Sequence, residues 1–280
     1  MQKIALLTDS ACDLHVETLI ENNIHLLPLR IIYSTGDYAD RLEISPDEVY
    51  SNLEKEVPKT SLPSAENIET ILKQLEEDGY THVIAICISS GLSGCYNALR
   101  LILEDHPKLT SYVYDSKILA YPQGEIVLET AKLIKNGNSF NDIVSALPEI
   151  RNRITGYFTI NTLEYLIKGG RIGRVTGALG NLLSLKPVIT TDENGIYYNI
   201  AKVRGRKQSL SKLTEILKEH LEKNPCEVAV LEGGCSDEAI KYMESLKDLP
   251  NITNIKIAQI SPALGVHGGP GLLGISVKSV

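Results

Sequence analysis

The sequence predicts an α/β protein of two domains: residues 1–155 with a parallel sheet, and an α+β domain over residues 156–280 with a largely antiparallel sheet. Three observations predict this arrangement. A length of 280 residues suggests two domains at the usual size of roughly 100–200 residues each. Short apolar runs alternate with helical patterns in the first half, which is typical of a covered parallel sheet. In the second half, the turn sequence D-E-N-G separates two strand-like runs and indicates a hairpin.

Helices in the first half are predicted by their start signals. Ser45 is followed by proline and acidic residues, and Ser64 caps a helix whose stop is Gly79. Ser10 and Asp13 form a capping-box pattern that predicts a helix from about residue 14. Strands are predicted where a short run is apolar throughout. These strands are residues 3–8, 24–33, 82–88 and 112–114, and a further helix is predicted at 97–104.

The second half has a different order of elements, in which predicted strands are more frequent than predicted helices. This pattern favours antiparallel pairing, with a domain boundary near residue 155. A glycine-rich loop precedes the last predicted strand. The strands are predicted at residues 154–160, 187–191, 196–203, 227–231, 255–260 and 272–277, and the helices at 162–167, 209–223 and 237–246.

Polar loops follow three strands of the predicted parallel sheet, at residues 8–13, 89–96 and 115–124. In open α/β sheets, ligands bind in the crevice at the carboxyl ends of the strands. We therefore expect these three loops to surround a ligand.

Composition argues against several functional classes. A formal charge of −7 argues against a general nucleic-acid binder, because such proteins neutralise phosphates with Lys and Arg. Five scattered cysteines without a C-x-x-C pair indicate reduced thiols, not a disulfide framework or a zinc site. The N-terminus turns polar too soon for a signal peptide, so a cytoplasmic location is expected. Two uncharged runs, 79–99 and 257–277, are too interrupted by polar residues, glycine and proline to span a membrane.

The segment G-G-P-G-L-L-G contains the pattern G-x-G-x-x-G at Gly269, Gly271 and Gly274. A dinucleotide-binding fingerprint should open a helix and be followed by an acidic residue about 20 positions later. Here strand-like residues follow and the sequence stops six residues after Gly274. The glycines are better explained as a shaped loop, or as one that lets backbone amides approach an anion.

The segment S-S-G-L-S-G-C-Y-N raises the possibility of a serine nucleophile. Gly91 lies two residues before Ser93, as a nucleophile elbow requires, but Cys95 occupies the position of the second glycine. His267 is the candidate base for such a serine, so a lipid or ester hydrolase is an alternative function. The other interpretation is that these hydroxyls cap a helix, or bind an acid group at its N-terminus.

Basic residues concentrate in two islands, which are candidates for docking an acidic partner or a phosphate. A solvated charge cluster is the alternative explanation. No carboxylate pair or metal-ligand cluster stands out, so neither a metal nor a cofactor is expected. The first island is Lys168, Arg171 and Arg174, and the second is Lys202, Arg204, Arg206 and Lys207.

Six motifs occur in a fixed order along the chain: T-D-S-A-C-D-L after the first strand, T-S-L-P-S near residue 60, S-S-G-L-S-G-C-Y-N near 93, T-L-E-Y-L-I-K-G-G-R-I-G at 162–173, L-S-L-K-P-V-I at 183–189 and S-P-A-L-G-V-H-G-G-P-G at 261–271. Together they resemble the DegV family over essentially the whole chain. The resemblance implies a bacterial cytoplasmic protein of two α/β domains that binds a long-chain fatty acid and is not itself an enzyme. It also implies a fatty-acid kinase partner, whose acyl-phosphate product feeds phospholipid synthesis.

The resemblance also implies roles for individual residues. By motif position, Ser61 and Ser93 are expected to bind the carboxylate, with Thr60, Gly94 and His267 around them. The family often has threonine where this chain has Cys95, and the loop at 115–125 lacks a serine and a glycine that are common there; both departures bear on acyl preference. From their charge, and not from the resemblance, Arg171, Arg204 and Arg206 are expected to dock the kinase. Arg204 and Arg206 are predicted to alternate on one strand and share a face.

Overall fold

A computed structural model describes residues 2–178 and 185–280 of the chain. Residues 183 and 184, which begin the fifth motif, lie outside the described residues. The strands are β1 (Ile4–Asp9), β2 (Ile24–Leu27), β3 (Arg30–Tyr33), β4 (Gly36–Ala39), β5 (Lys59–Ser61), β6 (His82–Cys87), β7 (Thr110–Asp115), β8 (Ile154–Thr159), β9 (Leu185–Thr191), β10 (Tyr197–Arg204), β11 (Cys226–Gly233), β12 (Ile252–Gln259) and β13 (Leu272–Ser279).

The helices begin and end close to the predicted signals in most cases. The predicted helix start at Ser45 is confirmed. It forms a capping box, since its hydroxyl accepts from the Glu48 amide at 3.3 Å and the Glu48 carboxylate accepts from the Ser45 amide at 2.8 Å. The helices are α1 (Val16–Glu21), α2 (Pro46–Asn52), α3 (Ala65–Glu77), α4 (Cys95–Glu104), α5 (Ala120–Lys135), α6 (Phe140–Asn152), α7 (Glu164–Lys168), α8 (Arg206–Leu221), α9 (Ser236–Leu246) and α10 (Pro262–Gly268).

The predicted pair of sheets is confirmed. The first sheet has the strand order β2-β1-β6-β7, and all its pairs are parallel. The second has the order β10-β9-β8-β13-β11-β12, in which the β11–β12 pair is parallel and the rest are antiparallel. All strands of the first sheet precede residue 155, and those of the second begin at Ile154. The domain boundary near residue 155 stays a prediction.

A third, three-stranded antiparallel sheet of order β4-β3-β5 was not predicted. The apolar run at 24–33 was interpreted as one strand, but the chain changes sheets at Pro28 and Leu29. Proline has no amide hydrogen and cannot continue a hydrogen-bonded ladder. The Leu29 amide instead donates to the Ser10 hydroxyl at 3.0 Å, which fixes the start of the small sheet.

Three local predictions were wrong. Ser10 does not cap a helix: it lies in a 3-10 turn capped by Asp9, and α1 begins only at Val16. The segments interpreted as loops at 115–124 and 261–271 contain the start of α5 and the whole of α10. Small residues and proline obscured the starts of α5 and α10 in the sequence. Pro262 at the first position of α10 is nevertheless a helix-start signal.

The six-stranded sheet divides the apolar interior. Helices α8 and α9 cover one face and form a separate cluster with its side chains. The opposite face of this sheet joins a larger cluster that includes the parallel sheet, α5 and α10. No helix within residues 2–178 and 185–280 is long and apolar enough to cross a membrane.

Candidate functional site

A cavity of about 380 Å³ lies between the second sheet and the N-terminal half of the chain. Its volume falls in the range of small-molecule sites, and most of its wall is apolar. All five residues predicted for ligand binding line it: Thr60, Ser61, Ser93, Gly94 and His267. They come from three segments far apart in the sequence.

Thr60 and Ser61 lie on β5, an edge strand of the small sheet. Thr60 is half-buried, and its hydroxyl lies 2.8 Å from Nε2 of His267. Ser61 lines the cavity but is exposed, as is Gly94. The opening of the cavity is therefore at this polar end.

Ser93 lies immediately before the N-terminus of α4, in a loop that follows β6. Its hydroxyl accepts from the Cys95 amide at 3.3 Å, and its own amide donates to the Ser89 carbonyl at 3.0 Å. Gly94 is the cap residue of α4 and has no side chain to satisfy the amides there. The unsatisfied N–H groups of a helix start favour an anionic ligand.

His267 lies in the last turn of α10 and not in a loop. Burial, followed by the positive charge of Arg171, lowers the pKa of His267 to about 4, so the ring is neutral near pH 7. Its Nδ1 has no hydrogen-bond partner among the described residues. Gly169 is packed so closely on the ring that a Cβ at this position would overlap Nδ1. The ring therefore has a single hydrogen bond, to Thr60.

Arg171 lies in the cavity wall, although it was expected on a partner-docking surface. Its side chain is half-buried and donates to the carbonyls of Leu92 at 3.4 Å and Gly169 at 2.5 Å. It places a positive charge next to His267. Whether it also contacts a partner stays a prediction.

Arg204 and Arg206 do not alternate on one strand, so that prediction was wrong. Arg204 ends β10, Gly205 turns the chain at φ +78°, and Arg206 begins α8. Arg206 pairs with Glu238 at 2.6 Å, whereas Arg204 is exposed. Neither lines the cavity, and their docking role stays a prediction.

The geometry of Ser93 and His267 is not that of a nucleophile and its base. Nε2 of His267 is occupied by the Thr60 hydroxyl, and no described carboxylate orients Nδ1. A serine nucleophile needs a base within hydrogen-bond reach, and usually a third group that orients the base. A histidine whose pKa is about 4 is also a weak base.

The glycine motif at the C-terminal end serves packing. A Cβ at Gly269 would overlap the ring of Tyr165, and one at Gly271 would overlap the amide of Asn161. The motif runs into the predicted last strand, since β13 begins at Leu272, so it does not open a helix. It has none of the context of a dinucleotide site.

Among the described residues, one group could hold a metal by composition: Asp9, Cys87 and Cys95, whose ligand atoms lie within 4.8 Å of one another. Both oxygens of Asp9 already accept hydrogen bonds, from the Ala11 amide and Gln123 on one side and from the Ile88 amide on the other. The hydrogen bond with Cys87, and then burial, raise the pKa of the Cys95 thiol well above its usual value. These residues do not fit a metal.

Sequence reasoning missed the two carboxylates that hold α10. Asp40 accepts from the Ala263 amide at 3.2 Å and from the Ser10 hydroxyl at 2.5 Å. Asp13 accepts from the Ser261 amide at 2.9 Å and pairs with Arg41 at 3.2 Å. Burial raises the pKa of Asp40 to about 7. The acids of T-D-S-A-C-D-L were the available signal, but Asp40 lies in no recognised motif.

Comparison with known proteins gives one consistent result. The family model described as "Uncharacterised protein, DegV family" matches residues 3–279. A DegV domain-containing protein from Clostridium perfringens is 49% identical over 278 residues, which cover 99% of each chain. A fatty acid binding DegV family protein from Streptococcus agalactiae has a TM-score of 0.91 at 31% identity, covering 100% of both chains. A stearic acid-binding protein from Eubacterium ventriosum has a TM-score of 0.89 at 29% identity, covering 100% of this chain and 98% of that one.

The raised pKa of Asp40 predicts a pH-dependent stability. Its folded-state pKa of about 7 lies above the ordinary value of 3.8, so the folded chain retains the proton over a range in which the unfolded chain has lost it. The stabilisation is therefore largest near pH 4 and is lost as pH rises to about 7. We expect urea unfolding to show wild type losing stability relative to Asp40→Asn over this window, because asparagine cannot titrate. A difference that does not change with pH would contradict the assignment.

Proposed function

This chain belongs to the DegV family, and we propose that it binds a long-chain fatty acid in the cavity and presents the carboxylate to a fatty-acid kinase. The acyl chain lies against the apolar wall. The carboxylate lies at the polar opening, near the hydroxyls of Thr60, Ser61 and Ser93. The observation that carries the proposal is that Thr60, Ser61 and Ser93, from segments far apart in the sequence, all line one cavity whose wall is mostly apolar.

The energetics favour a long chain. Burying one methylene stabilises the complex by about 0.8 kcal/mol, so about fifteen of them contribute on the order of 12 kcal/mol before association costs. The polar end then needs only a few hydrogen bonds to fix the orientation. Relatives that share 29–31% of their residues with this chain are described as fatty acid binding or stearic acid-binding, which supports the same ligand class here.

The head-group chemistry follows from His267. The ring is neutral, and in the tautomer that carries its proton on Nε2 the unpartnered Nδ1 holds the lone pair. Nε2–H then donates to the Thr60 hydroxyl, which is left free to donate to the carboxylate. Neutral donors hold the carboxylate without a tight ion pair, so it can still react.

The opening of the cavity supports presentation to a kinase. The exposed Ser61 and Gly94 lie at the polar end, so a carboxylate held there is within reach of a second protein. Arg204 is exposed and outside the cavity, as a docking residue must be. Acyl-phosphate formation and its use in phospholipid synthesis belong to this proposal.

Removing one head-group hydroxyl should weaken binding without unfolding the protein. For Ser61→Ala and for Ser93→Ala we expect fatty-acid affinity to fall about ten- to hundredfold, because a carboxylate loses a donor worth about 1.5–3 kcal/mol. Titration with palmitate measures it. The matched control is Ser64→Ala, which removes an exposed helix cap close by and should cost about 1 kcal/mol of stability but no affinity. Full affinity in both folded variants would show that the site is wrong.

The hydrolase alternative makes the opposite prediction about Ser93. An activated serine should react with a fluorophosphonate, whereas a hydroxyl without a base should not. We expect no covalent label on Ser93 by mass spectrometry, and no difference between wild type and Ser93→Ala. Robust labelling that is lost in Ser93→Ala would overturn the carrier proposal.

The docking proposal is tested at Arg204. For Arg204→Ala we expect fatty-acid affinity within about twofold, a difference of about 0.4 kcal/mol, and a steep fall in kinase-dependent acyl-phosphate formation. Arg206→Ala is the comparison, since Glu238 already compensates its charge, and it should affect turnover less. Added salt should weaken the wild-type complex, because exposed charges are screened. Unchanged turnover in Arg204→Ala would show that Arg204 is a solvated surface residue with no docking role.

A further inference from the structure

We propose that the hairpin tip (residues 192–195, between β9 and β10) positions the head-group loop (residues 89–94), and that it acts through the contact of Gly195 with Ser89. This inference rests on the proposed function and adds a positioning residue to it. Ser89 does not itself line the cavity. It acts through Ser93, which does.

Ser89 organises the head-group loop from a fully buried position. Its hydroxyl donates to the Gly195 carbonyl at 2.8 Å and accepts from the Gly91 amide at 3.1 Å. Its carbonyl accepts from the amides of Leu92 and Ser93, each at 3.0 Å. Three hydrogen bonds to Ser89 thus hold the loop that leads into Ser93, and Ser89 is itself anchored to the hairpin tip. Asp115 holds Ser90 and Arg171 holds Leu92 in the same loop.

The hairpin tip fits against the head-group loop without spare room. Gly195 has φ +72°, and a Cβ there would overlap the Ser89 hydroxyl. On the other side, a Cβ at Gly91 would lie 2.8 Å from the Asn194 carbonyl oxygen. Lys117 adds a hydrogen bond to the Glu193 carbonyl at 2.9 Å. Two glycines, one on each side, permit this close approach of backbones.

The same hairpin also forms part of the acyl-chain wall. Thr190 and Thr191 on β9 and Tyr197 on β10 line the cavity, and the Tyr197 ring packs on Phe158 with centroids 5.3 Å apart. An acyl chain in the cavity therefore contacts the two strands whose tip anchors the head-group loop. A ligand that orders the hairpin should stabilise the head-group loop, and an ordered loop should retain the ligand.

The test separates close approach from backbone strain. Gly195→Ala adds a Cβ that displaces the hairpin tip from Ser89, whereas Gly79→Ala adds one at a similar φ of +76° with nothing within 4 Å. Both variants lose stability because alanine is strained at such angles. With palmitate as the probe, we expect affinity to fall about tenfold and dissociation to accelerate in Gly195→Ala, and affinity within about twofold of wild type in Gly79→Ala. Equal affinities in the two folded variants would overturn the proposal.

Ser89→Ala is a second variant that tests the same contact, since it removes the Ser89 hydroxyl without adding an atom. It keeps the proposal testable if Gly195→Ala does not fold. It should weaken palmitate binding about tenfold, and the double variant should bind no more weakly than the weaker single one, because both changes break one contact. Hydrogen exchange gives a further readout: palmitate should protect the Leu92 and Ser93 amides in wild type and protect them less in Ser89→Ala.

The outcomes distinguish this inference from the function on which it rests. If the wild-type protein binds no fatty acid, the proposed function is wrong. If wild type binds fatty acid and the Ser89→Ala and Gly195→Ala variants bind it equally well, only the positioning role would be wrong. Additive losses in the double variant would also overturn it, since they would show that the residues act independently.

Discussion

The site depends on how the interior satisfies the first amides of α10. These N–H groups are buried, and an unpaired buried donor is costly. Asp13 and Asp40 accept from Ser261 and Ala263, so carboxylates from the first 40 residues hold a helix from the last 20. The same helix carries His267, whose Nε2 lies 2.8 Å from the Thr60 hydroxyl. Thr60 lies on β5 and Ala39 ends β4, and both strands pair with β3 of the small sheet. The small sheet and Asp40, the residue after it, therefore contact α10 near both of its ends.

Charge is distributed in a way that suits an anionic ligand. The buried acids already have partners: Asp13 has Arg41, and Asp40 has a hydroxyl and an amide. Arg171 has carbonyl partners at the cavity and no described carboxylate. Under the proposed function, a ligand carboxylate would bind neutral hydroxyls in the field of one cation, whose described donors go to carbonyls. It would not have to compete with an internal acid for them.

Much of the architecture could be predicted because apolar runs and cap residues act locally. The capping box at Ser45 and the D-E-N-G hairpin follow from neighbours in sequence. The split at Pro28 and the turn at Gly205 do have local signals, a proline and a glycine, but the apolar and alternating runs outweighed them in the prediction. The burial of Arg171 depends on distant packing, and a local pattern does not contain it. The cavity residues could be found because a family resemblance records distant contacts indirectly. Asp40 could not, since its partners lie far away at Ser10 and Ala263.

The position of the cavity between the two halves links binding to stability. Its wall draws Leu29 and Ile88 from one half and Phe158 and Leu272 from the other. An acyl chain placed there would add apolar contacts to both at once and complete the larger core, so the complex should be more stable than the empty protein. The stabilisation should grow with the logarithm of the free ligand concentration once this exceeds Kd. The head-group end is assembled from three segments, each with its own anchor: β3 for Thr60, Ser89 for Ser93 and Asp40 for α10. Under the proposed function, specificity for the carboxylate would depend on those anchors as much as on the hydroxyls that bind it.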